Sequence, residues 1–148
     1  MTTHNNTAEN LDELRKRAIE KLFEEAEYKP ARIYSLAERL ADYATLNARG
    51  DVFIKRKVAG LPDKYKVGLV VAARFIAHAL RDEIEEIVSI DDVEKYAEID
   101  KKIVAARLSD LRKEGYIERK GKGKYKWLTY SKLEHFLTDI EKRLRGER

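Results

Sequence analysis

Residues Arg119-Lys120-Gly121-Lys122-Gly123-Lys124-Tyr125-Lys126 hold five positive charges in eight positions, with no acid among them. Ammonium and guanidinium groups at this density neutralise phosphates, releasing the counterions that a polyanion carries. Gly121 and Gly123 let the backbone bend and come close to a ligand. The run lies between two strand-like pieces, Tyr116-Ile117 and Trp127-Leu128, so the spacing predicts a hairpin with a flexible basic tip. Tyr125 and Trp127 alternate with the lysines, and we expect them to pack the hairpin onto helices rather than stack on bases.

A second constellation precedes the first. From Lys101 to Glu114 the apolar residues Val104, Leu108 and Leu111 recur at helical spacing and define a buried face. The opposite face then carries Lys102, Ala106, Ser109 and Lys113, with Lys101, Ala105 and Arg112 beside it. Asp100 can cap this helix and Gly115 suits the left-handed position after its end. The net charge of +4 hides an asymmetry. Residues 82–100 hold nine acids and one lysine, whereas residues 101–126 hold ten bases and three acids. The bases thus concentrate where a nucleic-acid face would lie.

Other chemistries find less support. There is no cysteine, which excludes disulfides, thiolate zinc sites and cysteine nucleophiles. His4, His78 and His135 are scattered, and His78 reads as a satisfied histidine on an apolar helix. The acids Asp82, Glu83, Glu85, Glu86, Asp91 and Asp92 fit no calcium loop and read as a solvated face. No phosphate-cradling glycine loop or nucleophile motif is present. We therefore expect no enzyme, no cofactor and no metal. The segment Met1 to Asn10 is polar and the longest apolar run, Val67 to Ala73, is short of the ~20 residues of a membrane span. We expect a soluble cytoplasmic protein without a membrane partner. The 39% of charged residues, the lack of Gln and the single Met fit a thermophilic source.

The positioning elements follow from periodicity. Residues 1–9 read as a disordered tail. Leu11, Leu14, Ala18 and Leu22 mark a helix to about Ala26, widened by Ile19 and Phe23 and stopped by Pro30. Ile33, Leu36, Leu40 and Tyr43 mark a second helix, ended by Gly50-Asp51. Val52, Ile54 and Val58 suggest an extended segment along which Lys55, Arg56 and Lys57 form either a further phosphate contact or an ordinary charged strand face. Pro62 or Asp63 opens a helix through Leu80. From Val67 to Leu80 its only ionisable residues are Arg74 and His78, so it should be central. Ser89-Ile90 is a short extended link, Asp91 with Glu94 caps a short helix, and Glu98 to Asp100 make a turn. Ser131 with Glu134 caps a last helix bearing Leu133, Phe136, Leu137, Ile140 and Leu144. Residues 36–42 echo residues 104–110, and each helix leads to a basic strand, as a degenerate duplication would.

The phrase Ile103-Val104-Ala105-Ala106-Arg107-Leu108-Ser109-Asp110-Leu111-Arg112-Lys113-Glu114-Gly115-Tyr116-Ile117, with the hairpin after it, resembles the winged-helix DNA-binding domains of MarR-like and ArsR-like transcription regulators. The resemblance spans about residues 63–128. It implies a mainly α fold with a small β-hairpin, a winged helix-turn-helix with N-terminal and C-terminal helical extensions. The implied organisation is a tail at 1–9, a helical extension with a basic strand at 10–60, a winged-helix domain at 61–130 and a C-terminal helix at 131–148. The implied function is binding of double-stranded DNA by a transcription regulator or chromatin-associated factor. Lys101, Lys102, Ser109, Arg112 and Lys113 would face the major groove, and Arg119, Lys120, Lys122, Lys124 and Lys126 would hold phosphates. The terminal helices would pair two copies as a homodimer. Such regulators often carry Ser, Thr, Gln or Arg where this chain has Ala105 and Ala106, so direct base readout is thin. That leaves RNA binding in a translation-associated role as an alternative, with a protein-interaction module as a third.

Overall fold

The computed structural model describes residues 2–22 and 30–146. Its α-helices are α1 (Thr2–Leu22), α2 (Pro30–Ala41), α3 (Asp63–Leu80), α4 (Ile90–Ala97), α5 (Lys101–Lys113) and α6 (Tyr130–Leu144). The strands are β1 (Ala44–Leu46), β2 (Val52–Ile54), β3 (Val88–Ser89), β4 (Ile117–Gly121) and β5 (Lys124–Trp127). The chain is mostly helical, with one two-stranded ribbon, β1-β2, and one three-stranded antiparallel sheet in the order β3-β5-β4. No described helix is long and apolar enough to cross a membrane.

Helix α3 is the axis of the core. Val67, Leu69, Val70, Val71, Ala72 and Ala73 have no solvent exposure, because α2, α4, α5, the β1-β2 ribbon and β5 all pack on it. Gly68 is required here. A Cβ at that position would strike the ring of Phe136 on α6, so the bare backbone lets the aromatic ring seat against α3. Phe136 in turn stacks edge-on to Trp127 and Tyr116, at centroid separations of 5.1 and 5.3 Å, a geometry favoured by the ring quadrupoles. Trp127 is fully buried and its indole N–H donates to the Thr129 carbonyl at 2.9 Å. This cluster locks the β4-β5 hairpin to the helices, as its alternating aromatics suggested.

Several expectations need correction. Pro30 begins a helix, since its missing N–H and fixed φ suit the first helical position. Helix α1 runs from Thr2, through the segment read as a tail, because extending a formed helix costs less than nucleating one. The expected stretch from Phe23 to Ala26 lies outside the described residues. Helix α2 ends at Ala41, before Gly50-Asp51, and residues 44–54 form a ribbon not foreseen. Its turn is closed by the Asn47 amide oxygen, which accepts from the N–H groups of Arg49 and Asp51, while Gly50 takes a φ of +89°. Lys55 to Val58 is no extended strand but leads into a short 3-10 turn at Arg56–Val58. The capping box of α4 is Ser89 with Asp92, two residues before the expected pair; each side chain accepts from the other's backbone N–H at 3.0 Å. Thr129 caps α6, while Ser131 and Glu134 instead accept hydrogen bonds from Arg32 of α2 at 3.0 and 2.8 Å. Arg39 adds a forked contact to Glu141, so α2 and α6 are joined along their length.

The apolar face of α6 is therefore used within the chain: Leu133, Phe136, Leu137 and Ile140 are buried. Of the two helices expected to pair copies, α1 leaves Leu11, Leu14 and Leu22 exposed, and α6 leaves Leu144 exposed at its end. The echo between residues 36–42 and 104–110 extends to a helix followed by a hairpin, but β1-β2 gains no third strand, and beyond the shared α3 helix α2 packs on α6 whereas α5 packs on α4.

Two charged or polar groups deep in the fold have measurable consequences. Arg74 on α3 is 7% exposed. Its Nε donates to the Gly50 carbonyl at 2.5 Å, one terminal nitrogen to the Glu85 carbonyl at 3.0 Å and the other to the Tyr96 hydroxyl at 3.2 Å. We predict that Arg74→Ala costs about 3 kcal/mol in urea unfolding, because three acceptors lose a charged donor. Arg74→Lys should recover less than half, since one ammonium cannot reproduce the fork. A loss under about 0.5 kcal/mol, typical of surface changes, would contradict this role.

Tyr65 is buried beside Phe136 and its hydroxyl donates to Asp139 at 2.5 Å. Burial, then the Asp139 carboxylate, pushes its pKa up to about 12. The unfolded phenol ionises near pH ~10, so the fold holds this proton more tightly. The resulting stability is complete below about pH 10 and disappears as pH rises toward the folded value. Between pH ~9.5 and ~11.5, wild type should lose stability more steeply than Tyr65→Phe in parallel urea titrations; equal slopes would remove this coupling.

Candidate functional site

Helix α5 is oriented by its apolar face. Val104, Leu108 and Leu111 are fully buried against α3 and α4, so helical geometry forces the opposite stripe outward. Asp100 caps the helix by accepting from the Lys102 N–H at 3.1 Å, and Gly115, at φ +83°, ends it as expected. Lys101, Lys102, Ala105, Ala106, Ser109, Arg112 and Lys113 are all exposed. Ile103 adds an exposed apolar side chain to this surface. At the far end, Glu114 pairs with Lys64 of α3 at 3.0 Å.

The hairpin carries the second group. Its turn is tighter than the flexible tip expected, since Gly121 pairs with Lys124 and only Lys122 and Gly123 lie between them. A register irregularity lies between Arg119 and Gly121, of the kind that sharpens local twist. The tip is anchored as well: the Ile90 N–H at the start of α4 donates to the Gly123 carbonyl at 3.0 Å. Arg119, Lys120, Lys122 and Lys124 are exposed, whereas Lys126 is half-buried.

Ion pairs divide the basic set. Lys101 lies 2.8 Å from Asp91, and that carboxylate, through a hydrogen bond and its charge, holds the ammonium above its ordinary pKa. Lys126 faces Glu86 at 3.6 Å, Lys120 faces Glu118 at 3.4 Å and Arg107 faces Asp110 at 3.0 Å. The acidic block at 82–100 thus partly neutralises the basic block after it, through Asp91 and Glu86. Lys102, Arg112, Lys113, Arg119, Lys122 and Lys124 make no ion pair among the described residues. Arg119 donates to the Gly121 carbonyl at 3.2 Å, steadying the hairpin edge. Exposed ion pairs contribute little, so the paired lysines remain exchangeable with an external anion. The arrangement can bind a polyanion and leaves Ser109 as a neutral hydrogen-bonding group between cations.

His78 donates from Nδ1 to the Ile84 carbonyl, 2.7 Å away, as a satisfied histidine. No group of three or more His, Cys, Asp or Glu suited to a metal exists among the described residues. The sequence reading missed a second concave surface of about 700 Å³ formed by β2, the following 3-10 turn and the end of α4. Lys55 and Arg56 line it, together with Phe53; the exposed basic run at 55–57 was its only sequence signal. No protein-family model, curated protein or solved structure matches this chain.

Proposed function

We propose that this protein is a winged helix-turn-helix factor that binds double-stranded DNA, as a transcription regulator or chromatin-associated protein, without a catalytic step or cofactor. One observation carries the reading: six basic residues on α5 and the β4-β5 hairpin stand exposed with no ion pair among the described residues, on elements whose other faces are buried. The order α3, β3, α4, α5, β4, β5, with β5 central in the sheet, supports it, since α4 and α5 then form the helix pair and β4-β5 the wing. In this arrangement Lys102 and Ser109 reach base edges or phosphates and Lys122 and Lys124 follow the phosphate path. Ala105 and Ala106 give close approach but few hydrogen bonds, so shape contributes much of the selectivity. Pairing of two copies rests on α1 in this reading.

The test is a salt titration. With six phosphate contacts, log affinity for a duplex should fall with log salt at a slope near −5. Lys122→Ala with Lys124→Ala should weaken all duplexes about equally and flatten the slope by about two units. Lys102→Ala or Ser109→Ala should change sequence preference instead. A flat titration, or a wing double variant that binds like wild type, defeats the reading. Tighter binding of structured RNA than of duplex at matched salt transfers it to the RNA alternative.

A further inference from the structure

The groove beside β2 has a composition that the fold does not account for. Phe53 is 54% exposed at the centre of a three-residue strand, opposite Thr45, where a polar residue would satisfy the ribbon equally well. Basic side chains surround it: Arg49 from the ribbon turn, Lys55 and Arg56 from the chain after β2, and Lys95 from α4. Two acids share the lining, Asp51 and Glu98. Asp51 is already engaged, accepting from Asn47 Nδ2 and from the Tyr96 hydroxyl, each at 2.9 Å, with Arg49 3.4 Å away. Lys55 and Arg56 are exposed and make no ion pair among the described residues. The positive excess of the groove is therefore available to a ligand.

The groove is also preformed. Its floor includes Val52 and Ala97, both buried. Arg74 fixes the two walls from below by bonding the Gly50 carbonyl of the ribbon and the Tyr96 hydroxyl of α4. A flat apolar ring on a short strand, in a groove lined by the unpaired cations Lys55 and Arg56, matches a ligand that alternates planar aromatic groups with negative charges. Every base presents a π-face and every nucleotide a phosphate, and a strand whose bases are not paired offers both at once. A duplex does not, because its bases are stacked on each other.

We propose that this groove binds an unpaired segment of nucleic acid, with a base stacked on Phe53 and flanking phosphates held by Lys55, Arg56, Lys95 and Arg49. The site is independent of α5 and the hairpin and stands whether or not they bind a duplex.

Fluorescence anisotropy on the full chain tests it, using a labelled oligothymidylate of about 12 nucleotides, a span covering the usual single-strand footprints. Thymidine monophosphate serves as competitor and a labelled duplex as the parallel probe. Wild type should bind the oligomer. Phe53→Ala should weaken it about tenfold, the loss expected for one stacked base. Lys55→Ala with Arg56→Ala should weaken it comparably and flatten its salt dependence. Phe53→Tyr should bind within about twofold of wild type, because the ring face is kept. Since Phe53 is exposed, all variants should keep wild-type circular dichroism, and retention by Phe53→Tyr separates loss of the ring from loss of the fold. Lys122→Ala with Lys124→Ala should weaken duplex binding more than oligomer binding. If oligomer binding is absent in wild type, or is indifferent to Phe53→Ala and to the Lys55, Arg56 pair, the proposal fails. It also fails if the monophosphate competes as strongly as the oligomer, which would mark a single-nucleotide site. Loss of duplex binding alone, with oligomer binding intact, would strike the wing reading and leave this one standing.

Discussion

The guanidinium of Arg74 is the constraint on which the other elements depend. A buried cation is tolerated only if its donors are satisfied, and among the described residues this one has no carboxylate in direct contact. Instead the backbone brings it two carbonyls, from Gly50 and Glu85, and α4 brings the Tyr96 hydroxyl, which passes the interaction on to Asp51. Each acceptor belongs to a different connection: the turn of the ribbon, the loop leading to β3, and the helix before α5. One side chain on the central helix therefore ties together a turn, a loop and helix α4. Gly50 is close enough that a Cβ there would meet the Arg74 guanidinium at 3.2 Å, and it also needs a positive φ, so the turn and the arginine suit each other.

Orientation of the outer surfaces follows from that frame. Once α4 is held, the turn through Glu98, in the left-handed region at φ 56°, delivers Asp100 to cap α5. The three apolar residues of α5 then decide which cations face out. On the other side of Gly115, Tyr116, Ile117 and Trp127 enter the same core and hold the hairpin. Both proposed binding surfaces are thus the reverse sides of well-packed elements, which suits recognition because few side chains need ordering on binding. The acidic stretch at 82–100 restrains the positive surface at two points, Lys101 and Lys126, and leaves its remainder open.

Much of this was legible in the sequence. The ends of α3 and α5, the buried stripe of α5, the Asp100 cap, Gly115 and the hairpin all follow from periodicity and turn chemistry, because long amphipathic helices announce themselves. Strand β2 was legible through Val52 and Ile54, but its partner β1 was not, since Ala44-Thr45-Leu46 is too short for alternation to register and the Asn47 to Gly50 turn resembled a helix end. The caps of α4 and α6 were misplaced because several residues near each start have suitable side chains, and only packing selects among them. Ser131 and Glu134 read as a capping pair because Arg32, their actual partner, is 99 residues away from Ser131 in the chain. The neutralisation of Lys101 and Lys126 was likewise hidden, as it depends on which acids the fold brings near.

The central claim is that the outward side of α5 and the tip of the β4-β5 hairpin form one binding surface for duplex DNA. Titration of ¹⁵N-labelled protein with a short duplex, followed through its backbone amide resonances, addresses it directly. The account predicts shift changes concentrated at residues 101–113 and 119–124, with α6 and the buried length of α3 nearly unmoved. A bound duplex that leaves the α5 and hairpin amides where they were would contradict it.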